Sequence, residues 1–110
     1  MKRSQITEVM KYINNLLISK NYNELVNEDY QKQLTSEEIE KAFEDYGGNV
    51  TFPPDEAFES YDIFWGEDKN EIAVDFDLWI DNEKSDLTMN CFIRNENNIY
   101  QFAITGIHAL

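Results

Sequence analysis

The chain has 110 residues, of which 42% are hydrophobic and 14% aromatic, so it can bury one modest core and global disorder is excluded. Nine basic residues against 22 acidic ones give a net charge of −13, which disfavours a nucleic-acid backbone or an anionic membrane surface as partner. A single cysteine, Cys91, excludes an internal disulfide and a thiolate zinc cluster, and no apolar run is long enough to cross a membrane. We therefore expect one soluble, cytoplasmic domain over residues 1–110, monomeric or weakly dimeric.

The first part of the chain predicts three helices. Ser4 is a candidate N-cap for the first, and a second, short helix is expected around Asn23–Lys32. Thr35 and Glu38 have capping-box spacing, and Gly47-Gly48 supplies the left-handed residue that ends the third helix. The apolar stripe of the first helix consists of Ile6, Val9, Met10, Ile13, Leu16 and Leu17.

After Pro53-Pro54, which neither continue a helix nor donate to a sheet, the apolar period changes to two. Alternation over Ile72–Ile80, Leu87–Ile93 and Tyr100–Ile104 predicts three strands, and the run Ala57–Trp65 is expected to be a first strand. The links between these segments have four or five polar residues, which is hairpin length.

These elements together predict an α+β domain. Three N-terminal helices, over about residues 4–47, are expected to pack on one face of a four-stranded antiparallel meander over about residues 57–107. Helices followed by a curved sheet look like the cystatin-like or nuclear-transport-factor-like cone, an analogy that concerns the fold alone.

The segment Leu34–Leu110 resembles a small bacterial family of uncharacterised domains. The stretches that carry the resemblance are Leu34-Thr35-Ser36-Glu37-Glu38-Ile39, Tyr46-Gly47, Pro53-Pro54-Asp55-Glu56-Ala57-Phe58, Leu78-Trp79, Ser85-Asp86-Leu87-Thr88 and Ile107-His108-Ala109-Leu110. Members of that family usually carry threonine after the Leu-Trp pair, where this chain has Ile80. The resemblance implies a compact domain and brings no established activity with it.

The residue types that catalysis needs are sparse. Cys91 stands among apolar neighbours on its strand, where a thiol is ordinarily a small buried hydrophobe. The only imidazole, His108, is expected to help hold the last strand by hydrogen bonding, with a ligand or base role as the alternative. Gly47-Gly48 follows a helix instead of preceding one, so it is not a phosphate loop. We expect no enzymatic activity and no cofactor.

Two groupings of acidic residues have the composition of chemical sites. Asp75 and Asp77 share a strand face, as paired carboxylates of a sugar-binding or glycosidic site would. The next turn offers oxygen ligands for a hard cation but lacks the glycine and the terminal glutamate of a calcium loop. The turn ligands are Asp81, Glu83, Ser85 and Asp86. A solvated sheet face and a polar hairpin explain both groupings more simply, so no metal site and no catalytic residue is predicted.

The charge distribution suggests a binding function. Residues 1–34 carry five basic and four acidic side chains, whereas residues 35–110 carry four basic and eighteen acidic ones. The leading hypothesis is an inhibitory binding protein, namely an immunity protein that neutralises a basic toxin such as a nuclease. Whether helices cover the face that bears Trp79 stays open at this point. The expected partner-binding residues are Asp75, Asp77, Trp79, Asp81, Glu83 and Asp86.

The alternative hypothesis is a small-ligand-binding or enzymatic domain. A sheet curved against helices can leave a pocket between the two layers. The side chains expected to line such a pocket are Tyr46, Tyr61, Trp65 and His108.

Overall fold

The computed structural model describes residues 1–109, in which four helices precede the sheet. They are α1 (Arg3–Ile18), α2 (Tyr22–Glu28), α3 (Ser36–Tyr46) and the short α4 (Ala57–Ser60). The cap of α1 is Lys2 and not Ser4, because the Lys2 backbone N–H donates to Gln5 Oε1 at 3.0 Å. Within residues 1–109, no helix has both the length and the apolarity that crossing a membrane requires.

The predicted capping box at the start of α3 is confirmed. Glu38 N–H donates to Thr35 Oγ1 and Thr35 N–H donates to Glu38 Oε1, both at 3.1 Å. After the helix, Gly47 and Gly48 have φ of 89° and 79°. A Cβ on Gly48 would lie 2.5 Å from Ile80 Cγ2, so that position needs glycine for space as well as for its φ.

The sheet is the expected antiparallel meander, which confirms the α+β class. Its strands pair in chain order, and each neighbouring pair is antiparallel. The two tight hairpin turns place Asp81-Asn82 and Asn97-Asn98 at positive φ, as in type I′ turns. The strands are β1 (Asp62–Trp65), β2 (Glu71–Ile80), β3 (Glu83–Glu96) and β4 (Ile99–Ala109).

Several predicted boundaries are wrong. Strands β3 and β4 are longer than expected, so the β2–β3 and β3–β4 links have two residues each instead of four or five. The run Ala57–Trp65 is one helical turn followed by a short strand, because Phe58 and Tyr61 both turn inward onto Phe76 instead of alternating across a sheet. The second helix ends at Glu28 and not at Lys32, since the Asp29 carboxylate accepts the following backbone N–H groups and holds the chain in a turn.

The two faces of the sheet have different environments. Alternate residues of β2, from Ile72 to Ile80, are buried in one core with the apolar stripes of the helices. The other face, which we call the open face, carries the half-buried side chains of Ala73, Asp75, Asp77 and Trp79. The helices therefore do not bury the Trp79 face.

Candidate functional site

A cleft of about 710 Å³ lies on the open face of the sheet. One wall is built by α4. Strand β1 begins only at Asp62, opposite Asp75, and the bridge of Val50 reaches only Ile80 at the end of β2, so in the described part of the chain Phe76–Leu78 have no strand neighbour on that side. The α4 segment lies there instead, with the Phe58 ring centroid 5.5 Å from that of Phe76. The open-face cleft is lined by Glu56, Ala57, Ser60, Tyr61, Asp62, Asp75, Phe76, Asp77, Trp79, Lys84, Thr88, Asn90 and His108.

Strand register assembles the floor of the cleft. Directly opposed residues of neighbouring strands point to the same face. Asp75 is opposite Asn90, so those two side chains lie side by side. Asp77 is opposite Thr88, which is opposite His108 on β4. Residues that are far apart in the chain thus form one polar surface.

Hydrogen bonds hold the two aspartates of the floor in place. Asn90 Nδ2 donates to Asp75 Oδ1 at 2.6 Å, and Thr88 Oγ1 donates to Asp77 Oδ1 at 2.9 Å. Lys84 Nζ lies 3.6 Å from Asp77 Oδ2, a long and solvent-exposed ion pair. In the described part of the chain, Asp75 Oδ2 has no side-chain hydrogen-bond or ion-pair partner, so it is available to a guest.

Irregularities in the strands border the cleft. The β2–β3 register shifts between Asp77 and Trp79, where Ser85 Oγ donates to Leu78 O at 2.6 Å. This hydrogen bond satisfies the Leu78 carbonyl group at the register shift. Gly106 is opposite Asn90 on β4. A Cβ at position 106 would lie 3.2 Å from Asn90 Oδ1 and from the His108 imidazole, so the glycine leaves room for these two side chains.

The charges around the cleft are mainly negative. Four carboxylates line it, from Glu56, Asp62, Asp75 and Asp77, against the single ammonium group of Lys84. The indole of Trp79 adds an aromatic surface beside them, and such a ring can stack on a guanidinium group. This composition favours a guest that carries cationic groups.

Of the six residues predicted to contact a partner, the structure brings three into the open-face cleft and places three outside it. Asp75, Asp77 and Trp79 line the open-face cleft, while Glu83 is exposed at the end of the β2–β3 hairpin. The carboxylates of the other two are engaged within the molecule. Asp81 Oδ1 accepts the backbone N–H of Asn49 at 3.1 Å, and Asp86 Oδ1 accepts the Tyr46 hydroxyl at 2.7 Å.

The four predicted pocket residues are not brought together. Tyr61 and His108 line the open-face cleft, and burial raises the pKa of Tyr61. Tyr46 lies away from it, where its hydrogen bond to Asp86 raises its pKa, and Trp65 is at the exposed end of β1. Apolar core side chains pack between the helices and the middle of the sheet, and the open-face cleft is on the opposite face. A second cavity, of about 630 Å³, lies between the helices and the outer strand β4, and none of the four predicted residues lines it. Its lining comes from α1, Glu28 of α2 and Ile99–Phe102 of β4.

The environment of Cys91 disfavours a reactive thiol. Cys91 is buried with its Sγ 3.9 Å from Met10 Sδ, and burial raises the pKa of its thiol to about 12. Among residues 1–109, no cluster of three or more His, Cys, Asp or Glu side chains is arranged to hold a metal ion.

The Cys91 thiol should resist Ellman's reagent in the folded protein and react fully once the protein is unfolded in guanidinium. Its pKa is about 12 when folded against an ordinary 9.0, so the unfolded chain loses this proton first as pH rises. The free energy of unfolding should therefore fall between about pH 9 and pH 12. Between pH 8 and pH 10, the melting temperature of Cys91→Ala should decrease less than that of the wild type. Rapid labelling of the folded protein would contradict the burial.

The comparisons with known proteins identify the family. A family model described as "Domain of unknown function (DUF7668)" matches residues 14–110, which is most of the chain. The chain belongs to this family. The resemblance seen from Leu34 onward is confirmed as an uncharacterised domain family, and the DUF7668 match begins earlier, within α1. No protein of curated function matches the chain, and no solved structure does.

Sequence reasoning missed six polar residues of the cleft in this DUF7668 domain. They are Glu56, Ser60, Asp62, Lys84, Thr88 and Asn90. Thr88 and Asn90 are on the polar side of β3, but only the strand register shows that they are opposite Asp77 and Asp75. Glu56 and Asp62 reach the cleft through α4 and the start of β1, an element boundary that the apolar pattern did not reveal.

Proposed function

We propose that this protein is a non-enzymatic acidic binding protein whose open-face cleft takes a basic segment of a protein partner. The observation that carries the proposal is the cleft itself, which is lined by four carboxylates, the Trp79 indole and one lysine. A guanidinium or ammonium group of a partner would replace the weak Lys84 contact and reach the unoccupied Asp75 Oδ2.

The specific form of this proposal is an immunity protein that neutralises a basic toxin. A nuclease that binds phosphate groups must have cationic side chains on its binding surface. An acidic protein can bind to that surface, and electrostatic steering makes the association fast. The eighteen acidic side chains of residues 35–110 supply the long-range attraction, while the cleft supplies close contacts. The partner belongs, on this proposal, to the same host and is encoded beside the protein.

The test compares a variant of the cleft with a surface control variant in capture of the partner from the native host at low salt. The double variant D75N/D77N keeps side-chain shape but removes two cleft charges, whereas Asp45→Asn removes one exposed charge on α3. We expect wild type and Asp45→Asn to retain a partner of high pI, and D75N/D77N to bind it on the order of 100-fold more weakly.

Two outcomes would contradict this proposal. One is a partner that is neutral or acidic, and the other is equal binding by D75N/D77N, provided that its melting curve matches wild type. For the immunity form, co-expression with the captured protein should restore growth of cells that the partner alone arrests, and D75N/D77N should restore it poorly. If the partner alone did not arrest growth, the interpretation of the partner as a toxin would be contradicted.

A second candidate function is the binding of a small cationic molecule in the same cleft. Its volume of about 710 Å³ falls within the range of small-molecule sites. Titration of diamines and guanidino compounds against Trp65→Phe, which leaves Trp79 as the only tryptophan, would detect such a ligand by fluorescence. A compound that binds tightly would also raise the melting temperature as its concentration rises.

A further inference from the structure

The two outer strands of the sheet are protected differently. Along β4, Tyr30 N–H donates to Phe102 O at 3.0 Å and Ile104 N–H donates to Asp29 Oδ2 at 2.8 Å, so the segment after α2 covers that edge. The other outer strand, β1, pairs with β2 alone. Within residues 1–109, no hydrogen bond from a turn, loop or side chain reaches the Asp62–Trp65 backbone. The β1 edge therefore presents unpaired N–H and C=O groups.

Exposed aromatic rings flank this edge on both faces. Phe64 is 52% exposed and Trp65 is 57% exposed. Phe64 is opposite Ala73 and therefore on the open face, while Trp65 is opposite Ile72 and on the helix side. A strand added beside β1 would bury part of a large ring above and below its own backbone.

The charges around β1 bear on which kind of added strand is electrostatically complementary to it. The acidic side chains on or near it are Glu59, Asp62, Glu67 and Asp68. Three cations stand nearby, and two of them are already engaged. The Arg3 guanidinium donates to the carbonyl oxygens of Glu59 and Tyr61, and the Lys11 ammonium lies 5.5 Å from the centroid of the Phe58 ring. The third is Lys69 in the following loop. Pairing with a second copy would bring two such acidic edges together, whereas a basic segment is complementary.

The edge is also continuous with the open-face cleft, because Asp62 belongs to both. We propose that β1 is a docking edge at which an extended basic segment of the partner adds as a fifth strand. Its backbone pairs with Asp62–Trp65 between the rings of Phe64 and Trp65, and its cationic side chains on the open face lie beside Asp62. The partner's basic character in this scheme rests on the proposed function.

The experiment uses a peptide of about ten residues in which lysine and valine alternate, titrated to about 1 mM against the isotopically labelled protein. Two control peptides accompany it: one is N-methylated at alternate residues so that it keeps its charge but cannot pair, and one has glutamate for lysine. We expect amide shifts at Asp62–Trp65 with the first peptide, at least tenfold weaker binding after methylation, and none with glutamate.

Matched variants locate the contact. Phe64→Ser should weaken binding of the lysine peptide several-fold, whereas Ile99→Ser, a 64% exposed residue at the start of β4, should not. Equal binding of both lysine peptides, with shifts confined to the cleft, would overturn strand addition and leave the proposed function standing. Absence of binding by the unmethylated peptide would also overturn it, while the D75N/D77N comparison decides the proposed function separately.

Discussion

Phe76→Ala should lower the free energy of unfolding by about 3–5 kcal/mol. Phe76 lies at the centre of β2 and is 1% exposed. Its ring centroid is 5.5 Å from that of Phe58 and 5.9 Å from that of Tyr61, so it joins the sheet to α4 and to the start of β1. The truncation removes buried apolar area and leaves a cavity that rigid strands cannot close.

The measurement is urea unfolding followed by circular dichroism, with Phe64→Ala as the matched control. Phe64 is the same residue type in the same sheet but is largely exposed on β1, so its truncation should cost less than about 1 kcal/mol. Similar losses in the two variants would mean that Phe76 does not have the buried position described here. The conservative variant Phe76→Leu should recover part of the loss because it fills most of the space.

The second large effect is expected at Asp29, where alanine should cost about 2–4 kcal/mol. This carboxylate is 4% exposed and accepts three backbone N–H groups. Oδ1 accepts those of Gln31 and Lys32 at 2.8 and 2.9 Å, which stop the chain from continuing α2. Oδ2 accepts that of Ile104 at 2.8 Å, which fastens this turn to the outer edge of β4.

Amide hydrogen exchange at Ile104, together with urea unfolding, would test this role of Asp29. In Asp29→Ala the Ile104 N–H loses its acceptor, so its exchange should accelerate more than that of core amides. Asp45→Ala is the control, because Asp45 makes only an exposed ion pair with Lys41 on α3. If the two alanine variants were equally stable, the Asp29 bonds would not contribute to stability as argued.

The secondary structure was largely predictable because it depends on neighbours in the chain. The helical stripe of α1, the capping box at Thr35 and the alternation along β2 are all local patterns. The alternation also placed Asp75, Asp77 and Trp79 on one face, since side chains of a strand point to opposite sides in turn. The fold class and the shared strand face of these three residues followed from periodicity alone.

Local patterns failed where a side chain's role depends on distant partners. The run Ala57–Trp65 has the aromatic content of a strand, but packing of Phe58 and Tyr61 onto Phe76 makes its first part helical. Asp81 is an aspartate of the same strand-and-turn segment as Asp75 and Asp77 and is more exposed than either, yet its carboxylate accepts the backbone N–H of Asn49. Composition does not distinguish these cases.

The tertiary structure decided the site. Only the packing of the helices shows that the Trp79 face stays uncovered, and only the strand register brings Thr88, Asn90 and His108 beside the two aspartates. A shift of one residue in either pairing would turn these side chains to the core. The unpaired edge of β1 likewise depends on what packs next to it. Register, coverage of a face and coverage of an edge are relations between segments far apart in the chain, so periodicity within one segment cannot specify them.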